Sequence, residues 1–182
     1  TRGMCLLDYD PERARQLLAQ SEYGDVTRLP PITLTIGGQG GELSPTIEAI
    51  VAMYRENLGI EISVVQSDDV LVGRPSFVSI GWIADYPDSQ NFLDVLFHSQ
   101  SALNHTRYSN TRVDDLLEEA RIEMNTQRRV ELYKRAEEII VADAAWVPLW
   151  HSVDYVLTKP YVGGALYASS IFPWLRNVYI EE

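Results

Sequence analysis

The chain is poor in cysteine, in histidine, in basic residues relative to acidic ones and in long apolar runs, and each shortage removes a class of protein. One cysteine, Cys5, in 182 residues allows neither an internal disulfide framework nor a cysteine-built metal site. Fifteen Lys and Arg against 26 Asp and Glu give a net charge of -11, so no nucleic-acid footprint or basic membrane-surface patch is expected. No apolar run approaches the roughly 20 residues of a membrane-spanning helix, and the first residues show no charged-then-apolar export signal. Thr1-Arg2-Gly3-Met4 reads as an arbitrary cut point, so a piece of a longer polypeptide is the expectation. His98, His105 and His151 lie far apart and none falls at a paired-ligand spacing. Each is expected to be a surface or loop histidine, and neither a metal nor a cofactor is expected.

What remains is a chain that should fold. Its hydrophobic fraction of 46% includes ten Tyr and four Trp, unlike a disordered segment. A chain of this length buries about 70% of its unfolded surface and suffices for one substantial domain or two small ones.

Local signals then divide it. Asp10-Pro11-Glu12 starts a helix, with Asp10 as cap, Pro11 at the first helical position and Ala14, Leu17 and Leu18 on the apolar face. Leu29-Pro30-Pro31 breaks the chain, and Ile32 to Ile36 alternates as a half-buried strand. Gly37-Gly38-Gln39-Gly40-Gly41 follows a strand and precedes a helix, as a phosphate-cradling loop does. It has neither the Lys-Ser/Thr of a P-loop nor the GxGxxG spacing, so a flexible connector is expected. Ser44 and Pro45 open the next helix, whose buried stripe is Ile47, Ile50, Val51, Tyr54 and Leu58, and Gly59 suits its left-handed stop. Ile60 to Val65 is a second strand, closing a βαβ unit, and Gln66 to Pro75 is a polar connector. Asp68 and Asp69 in it lack a third ligand at calcium-loop spacing, so a solvated loop is expected.

Phe77 to Ile80 is a third strand that runs into Gly81-Trp82-Ile83-Ala84-Asp85-Tyr86-Pro87-Asp88. Pro87 cannot continue a central ladder, so the chain leaves the sheet near Ala84 to Tyr86. In open α/β sheets ligands sit outside the carboxyl ends of strands, which makes this loop the candidate site. Phe92 to Phe97 then forms a short helix, and His98 to Asn110 a loop. Two long helices follow, capped by Thr111, with Asp114 in a capping box, and by Thr126. Val113, Leu116, Leu117, Ala120 and Met124 line the first. Val130, Tyr133, Ala136, Glu137, Ile140 and Ala144 line the second, widened by Leu132 and Ile139. Trp146 to Trp150 and Asp154 to Thr158 are expected as short strands, and the tail from Lys159 as irregular.

Catalysis needs a nucleophile with a base, a metal cluster or two carboxylates flanking a bond, and these ingredients are thin here. Asp85 and Asp88 can be imagined as a glycosidase pair, but such pairs normally come from different strands. Asp88 before Ser89 suits a cap or turn. For Asp85 two roles stay open on the residues alone: a turn-forming aspartate, or a carboxylate that holds a ligand cation between walls made by Trp82 and Tyr86. A small α/β hydrolase-like enzyme using Asp85 or Asp88, and an interaction domain without small ligand, are the other function classes in play.

A longer pattern bears on the choice. Tyr9-Asp10-Pro11-Glu12-Arg13-Ala14-Arg15-Gln16-Leu17-Leu18, the Gly81 to Asp88 stretch, Tyr108-Ser109-Asn110, Val113 to Arg121, Arg128-Arg129, Leu132-Tyr133 and Val147-Pro148-Leu149 together resemble family 5 extracellular solute-binding proteins. These are the peptide, dipeptide and nickel type receptors of ABC importers. The resemblance spans roughly residues 9 to 165 in order. It implies an α/β, periplasmic-binding-protein-like (type II) lobe with a mixed sheet flanked by helices. Residues 1–182 would be a single domain, the carboxyl-terminal lobe, with the amino-terminal lobe absent. It also implies an extracytoplasmic location, a peptide or other small solute as ligand, an ABC permease as partner, and no enzymatic activity. In peptide-binding members the position of Asp85 salt-bridges the ligand's α-amino group, and Trp82 and Tyr86 match flanking positions near the cleft. The connector 66–76 is shorter than the family's usual helix-containing one, and the tail from Ala165 departs from a regular return to the other lobe.

Overall fold

A computed structural model describes residues 8–73, 75, 77–151, 153, 155–164 and 175–181. Thr1 to Met4, Cys5 and most of the tail from Ala165 lie outside them. The chain forms two compact units, one reaching to Gly81 and one starting at Trp82.

In the first unit, α1 (Pro11–Gln20) starts where Asp10 accepts a hydrogen bond from the Arg13 amide at 2.8 Å. β1 (Ile32–Gly37), α2 (Pro45–Leu58) and β2 (Ile62–Ser67) form the expected βαβ unit, with β1 and β2 parallel and Ile32 opposite Ile62. β3 (Phe77–Val78) pairs with the other edge of β1, also parallel, giving the order β2-β1-β3. The three strands of this sheet are all parallel; among the described residues antiparallel pairing occurs only elsewhere. The strand is shorter than its apolar run, although the Ser79 amide still donates to Thr35 O at 2.9 Å. Leu34, Ile36, Ile47, Ile60 and Ile62 form the core, with Ile50, Val51, Tyr54 and Leu58 packed against it. Gly59 ends α2 at φ 67° and ψ 19°, a conformation in which a Cβ would be strained, and its amide donates to Tyr54 O and Arg55 O.

The glycine loop after β1 is not the flexible connector expected. Gln66, on β2, clasps it: its Oε1 accepts from the Gly40 amide at 2.8 Å and its Nε2 donates to Gly41 O at 3.3 Å. Gly38 (φ 147°) passes so close that an added Cβ would lie 2.7 Å from that Oε1. Asp68 accepts from Gln39 Nε2 of the glycine loop at 3.2 Å, and Asp69 from the Leu71 amide of its own loop at 3.0 Å.

In the second unit, α3 (Gln90–Phe97), α4 (Thr111–Ile122) and α5 (Thr126–Ala142) pack around Leu96, Phe97, Val113, Leu116, Leu117, Ala120, Leu132, Tyr133, Ala136 and Ile140. The helix starts lie one residue earlier than expected. Asn110 caps α4, accepting from the Arg112 amide at 3.0 Å, and Asn125 caps α5, accepting from the Arg128 amide at 3.0 Å. A cap residue has non-helical backbone angles, and Thr111 and Thr126 are already helical. Asp114 makes no capping box; it accepts from the Ser99 amide at 2.9 Å. Met124 is 93% exposed because α4 ends at Ile122, and Val130 and Ala144 are exposed while Leu132 is buried. The buried face of α5 therefore runs through Leu132, Tyr133, Ala136 and Ile140, rotated from the expected one.

His98 departs from the expected exposed loop. It is buried at the end of α3, with Nε2 3.3 Å from Glu118 Oε1 and Nδ1 accepting from the Gln100 amide at 3.2 Å. Tyr108 and Asn110 both donate to Asp143 Oδ2, at 2.6 and 2.8 Å, which ties the start of α4 to the end of α5. Trp146 to Trp150 carries no strand, and neither does the second run, of which Asp154 lies outside the described residues. Alternation makes a strand only where a neighbour supplies hydrogen bonds, and Leu149, Trp150, Tyr155 and Leu157 are all more than half exposed. Among the described residues the tail holds two regular features not expected, a 3-10 turn at Leu175–Asn177 and an antiparallel pair of β4 (Val162–Gly163) with β5 (Tyr179–Ile180).

The rotated face of α5 predicts that Leu132→Ala destabilises the protein by about 2–5 kcal/mol, as deletion of a buried side chain does. Met124→Ala should change it by no more than about 0.5 kcal/mol. Urea unfolding of both variants checks the contrast.

Candidate functional site

The loop Trp82 to Asp88 is shaped by side chains that stand on helices. Its centre is Asn91 in the first turn of α3, whose side chain is among the most buried in the chain, at 2% exposure. Asn91 Oδ1 accepts from Trp82 Nε1 at 3.0 Å and from the Asp85 amide at 3.1 Å, and its Nδ2 makes a long contact of 3.4 Å to Asp85 Oδ2. Trp82 is half-buried and packs against the helical core. Asp85 is exposed, and among the described residues no lysine, arginine or histidine pairs with it.

The structure thus brings Trp82 and Asp85 together through one amide. Tyr86 is not joined to them by a hydrogen bond: it is 41% exposed and its hydroxyl bonds to the side chain of Gln90. Asp88 is a structural residue. Its Oδ1 accepts from the Gln90 amide at 2.8 Å, and both carboxylate oxygens take the Arg129 guanidinium, at 2.5 and 2.9 Å. Arg129 also donates through Nε to Ala120 O at 3.0 Å and lies 5.2 Å from the Tyr133 ring centroid. A fork held at several points in this way pins the turn to α5. These hydrogen bonds from Arg129 hold the Asp88 carboxyl below its usual value of 3.8, against the opposing effect of burial.

One further acid sorts the same way. Asp94, in the middle of α3 and 4% exposed at its side chain, binds Arg121 through both oxygens at 2.6 Å. The Arg121 guanidinium is raised above its usual range by that hydrogen bond. Residue order did not point to Asn91, Arg121 or Arg129 as site-shaping groups. A signal existed for Asn91: a poor helix former placed at the start of the otherwise apolar Phe92, Leu93, Val95, Leu96 and Phe97 run. Among the described residues no group of three or more His, Cys, Asp or Glu could hold a metal ion. An exposed, fixed carboxylate beside an indole can hold a cation by charge-assisted hydrogen bonds.

The lowered value of Asp88 has a consequence for stability. A carboxylate depressed in the folded state contributes stability that is complete above its ordinary value and lost as pH falls through the folded one. Asp88→Asn should therefore cost about 1–2 kcal/mol near neutral pH, discounted for partial exposure, and the deficit should shrink below about pH 4. Urea titrations of both proteins between pH 3 and 7 measure it.

With this geometry in hand, the chain can be set beside known proteins. The profile for bacterial extracellular solute-binding proteins, family 5 Middle, matches residues 5–104. The periplasmic oligopeptide-binding protein OppA of Escherichia coli is 28% identical over 179 residues, covering 94% of this chain and 32% of that protein. Heme-binding protein A of Haemophilus influenzae is 31% identical over 168 residues, covering 86% and 30%. Among solved structures, the murein tripeptide binding protein MppA of Escherichia coli superposes with a TM-score of 0.77 at 23% identity, covering 94% of this chain and 35% of that one. That likeness speaks for the fold alone. DppA from Helicobacter pylori in complex with the peptide STSA gives a TM-score of 0.67 at 27% identity, covering 78% and 29%. The fold is α/β, of the type II periplasmic-binding-protein kind. The chain spans about a third of the length of the curated relatives it matches. It belongs to the bacterial extracellular solute-binding proteins of family 5.

Proposed function

We propose that this chain is the ligand-binding part of the carboxyl-terminal lobe of an ABC importer's solute-binding protein, and that it works outside the cytoplasmic membrane. Asp85 receives the ammonium group of a peptide, and Trp82 and Tyr86 form neighbouring wall. An amino-terminal lobe of the same protein completes the cleft, and the closed, loaded protein delivers its solute to a membrane permease. Closure is a population shift between open and closed forms, driven by contacts that only the closed form makes.

One observation carries the reading of Asp85. Asp88 and Asp94 each hold an arginine through both oxygens, whereas Asp85 is exposed and has no cation of the described residues beside it. A carboxylate fixed by a buried amide and left without a counter-ion is arranged to take one from outside. Peptides are favoured as the source because OppA is an oligopeptide-binding protein by name and DppA is seen in complex with a peptide. The family is one of binding proteins, and the same ion pair that steadies Asp88 removes it from acid-base work, so we assign no catalysis to this loop.

Titration calorimetry of the intact protein tests this with trialanine and tetra-alanine, with haem as the contrasting ligand. Asp85→Asn should weaken peptide binding by about ten- to a hundredfold, the effect of unpairing a charge-assisted contact. Unchanged affinity in that variant sinks the anchoring role, and tight binding of haem without peptide binding moves the solute to another class.

A further inference from the structure

We propose that Asn91 is the positioning residue of the ligand loop: its buried amide sets the indole of Trp82 and the carboxylate of Asp85 in one fixed register. The inference rests on the reading of Asp85 as ligand anchor and adds the group that makes it one.

The amide can sit only one way. Trp82 Nε1–H and the Asp85 backbone N–H are donors without acceptor character, so the Asn91 atom facing both, at 3.0 and 3.1 Å, must be its carbonyl oxygen. Both lone pairs of that oxygen are then used. The Nδ2 group is directed by the same constraint at Asp85 Oδ2, 3.4 Å away, and a flipped amide would set donors against donors. One carboxylate oxygen of Asp85 is thereby oriented by the protein, and among the described residues the other accepts no side-chain hydrogen bond. An exposed side chain has been given a direction.

The amide is itself immobile. Asn91 is 2% exposed, its backbone N–H donates to Asp88 O at 3.1 Å, and Asp88 is held by Arg129 on α5. The loop is thus referenced to two helices instead of to its own flexible backbone, the condition for a binding group to lose little freedom when ligand arrives. Removing the amide leaves two donors without acceptor in a dry place and frees Asp85 to adopt other rotamers.

The test uses the intact protein, calorimetry with trialanine and N-acetyl-trialanine, and the indole N–H resonance of Trp82 in ¹⁵N-labelled, ligand-free protein. Asn91→Ala should weaken trialanine by about tenfold or more, leave the weaker acetylated peptide nearly unchanged, and cost nothing further in an Asp85→Asn background. The Trp82 indole resonance should shift and its exchange with solvent quicken. Asn91→Asp keeps the acceptor for both donors but puts an oxygen against Asp85 Oδ2. It should retain the indole signal and the fold while still weakening trialanine, and it decides the matter if Asn91→Ala does not fold. Equal losses for both peptides, additive losses in the double variant, or an unmoved indole resonance overturn the proposal while Asp85→Asn still shows its effect. Asp85→Asn without effect overturns the anchor reading first, and this proposal with it.

Discussion

A polar side chain taken out of water must find its partners inside the protein, and the stretch from Asn91 to Asn104 carries four such side chains. Asn91, Asp94, His98 and Asn104 are all nearly or fully buried. Each fixes a different neighbour. Asn91 holds the Trp82 to Asp85 loop, Asp94 takes Arg121 and His98 takes Glu118, both on α4, and Asn104 donates to His98 O and Tyr108 O while accepting from the Tyr108 amide. Among the described residues no buried side-chain nitrogen or oxygen is left without a partner. An apolar α3 would have packed against α4 and α5 as well, but in several registers of similar energy. The polar contacts select one of them, because every alternative leaves a donor or acceptor orphaned at about 1–3 kcal/mol each.

The same rule separates the two aspartates of the loop. Asp85 and Asp88 lie three residues apart in one turn, yet Asp88 is ion-paired to α5 and Asp85 is held by a neutral amide. A guanidinium neutralises the carboxylate it binds, whereas an amide orients a carboxylate and leaves its charge in place. The pairing of Asp88 is what allows the neighbouring charge to stand free: it fixes the turn from which Asn91 projects. A carboxylate of fixed direction is therefore built with its charge left in place.

Much of the fold was legible. The starts of α1 and α2, the stop at Gly59, the βαβ unit and the existence of α3, α4 and α5 all follow from capping residues, proline and apolar spacing. The errors share a cause. Thr111 and Thr126 are good caps by type, but the asparagine before each has the extended backbone that a cap requires. Val130 and Leu132 fit the pattern of α5 equally well, and only the position of α4 decides which faces inward. The apolar alternation from Trp146 onward was a true strand pattern with no ladder among the described residues to join.

Sequence alone thus determined what depends on a residue and its neighbours within about four positions: that Asp10 and Ser44 start helices and Gly59 stops one, which segments alternate, and that the Gly81 to Asp88 stretch is a turn rich in aromatic and acidic side chains. Tertiary structure alone decided which acid keeps a free charge. The contacts that settle it join Asp88 to Arg129 across 41 positions, Asp94 to Arg121 across 27 and Tyr108 to Asp143 across 35. No local preference encodes such a pairing, because an aspartate has the same backbone tendencies whether it meets an arginine on a distant helix or the solvent.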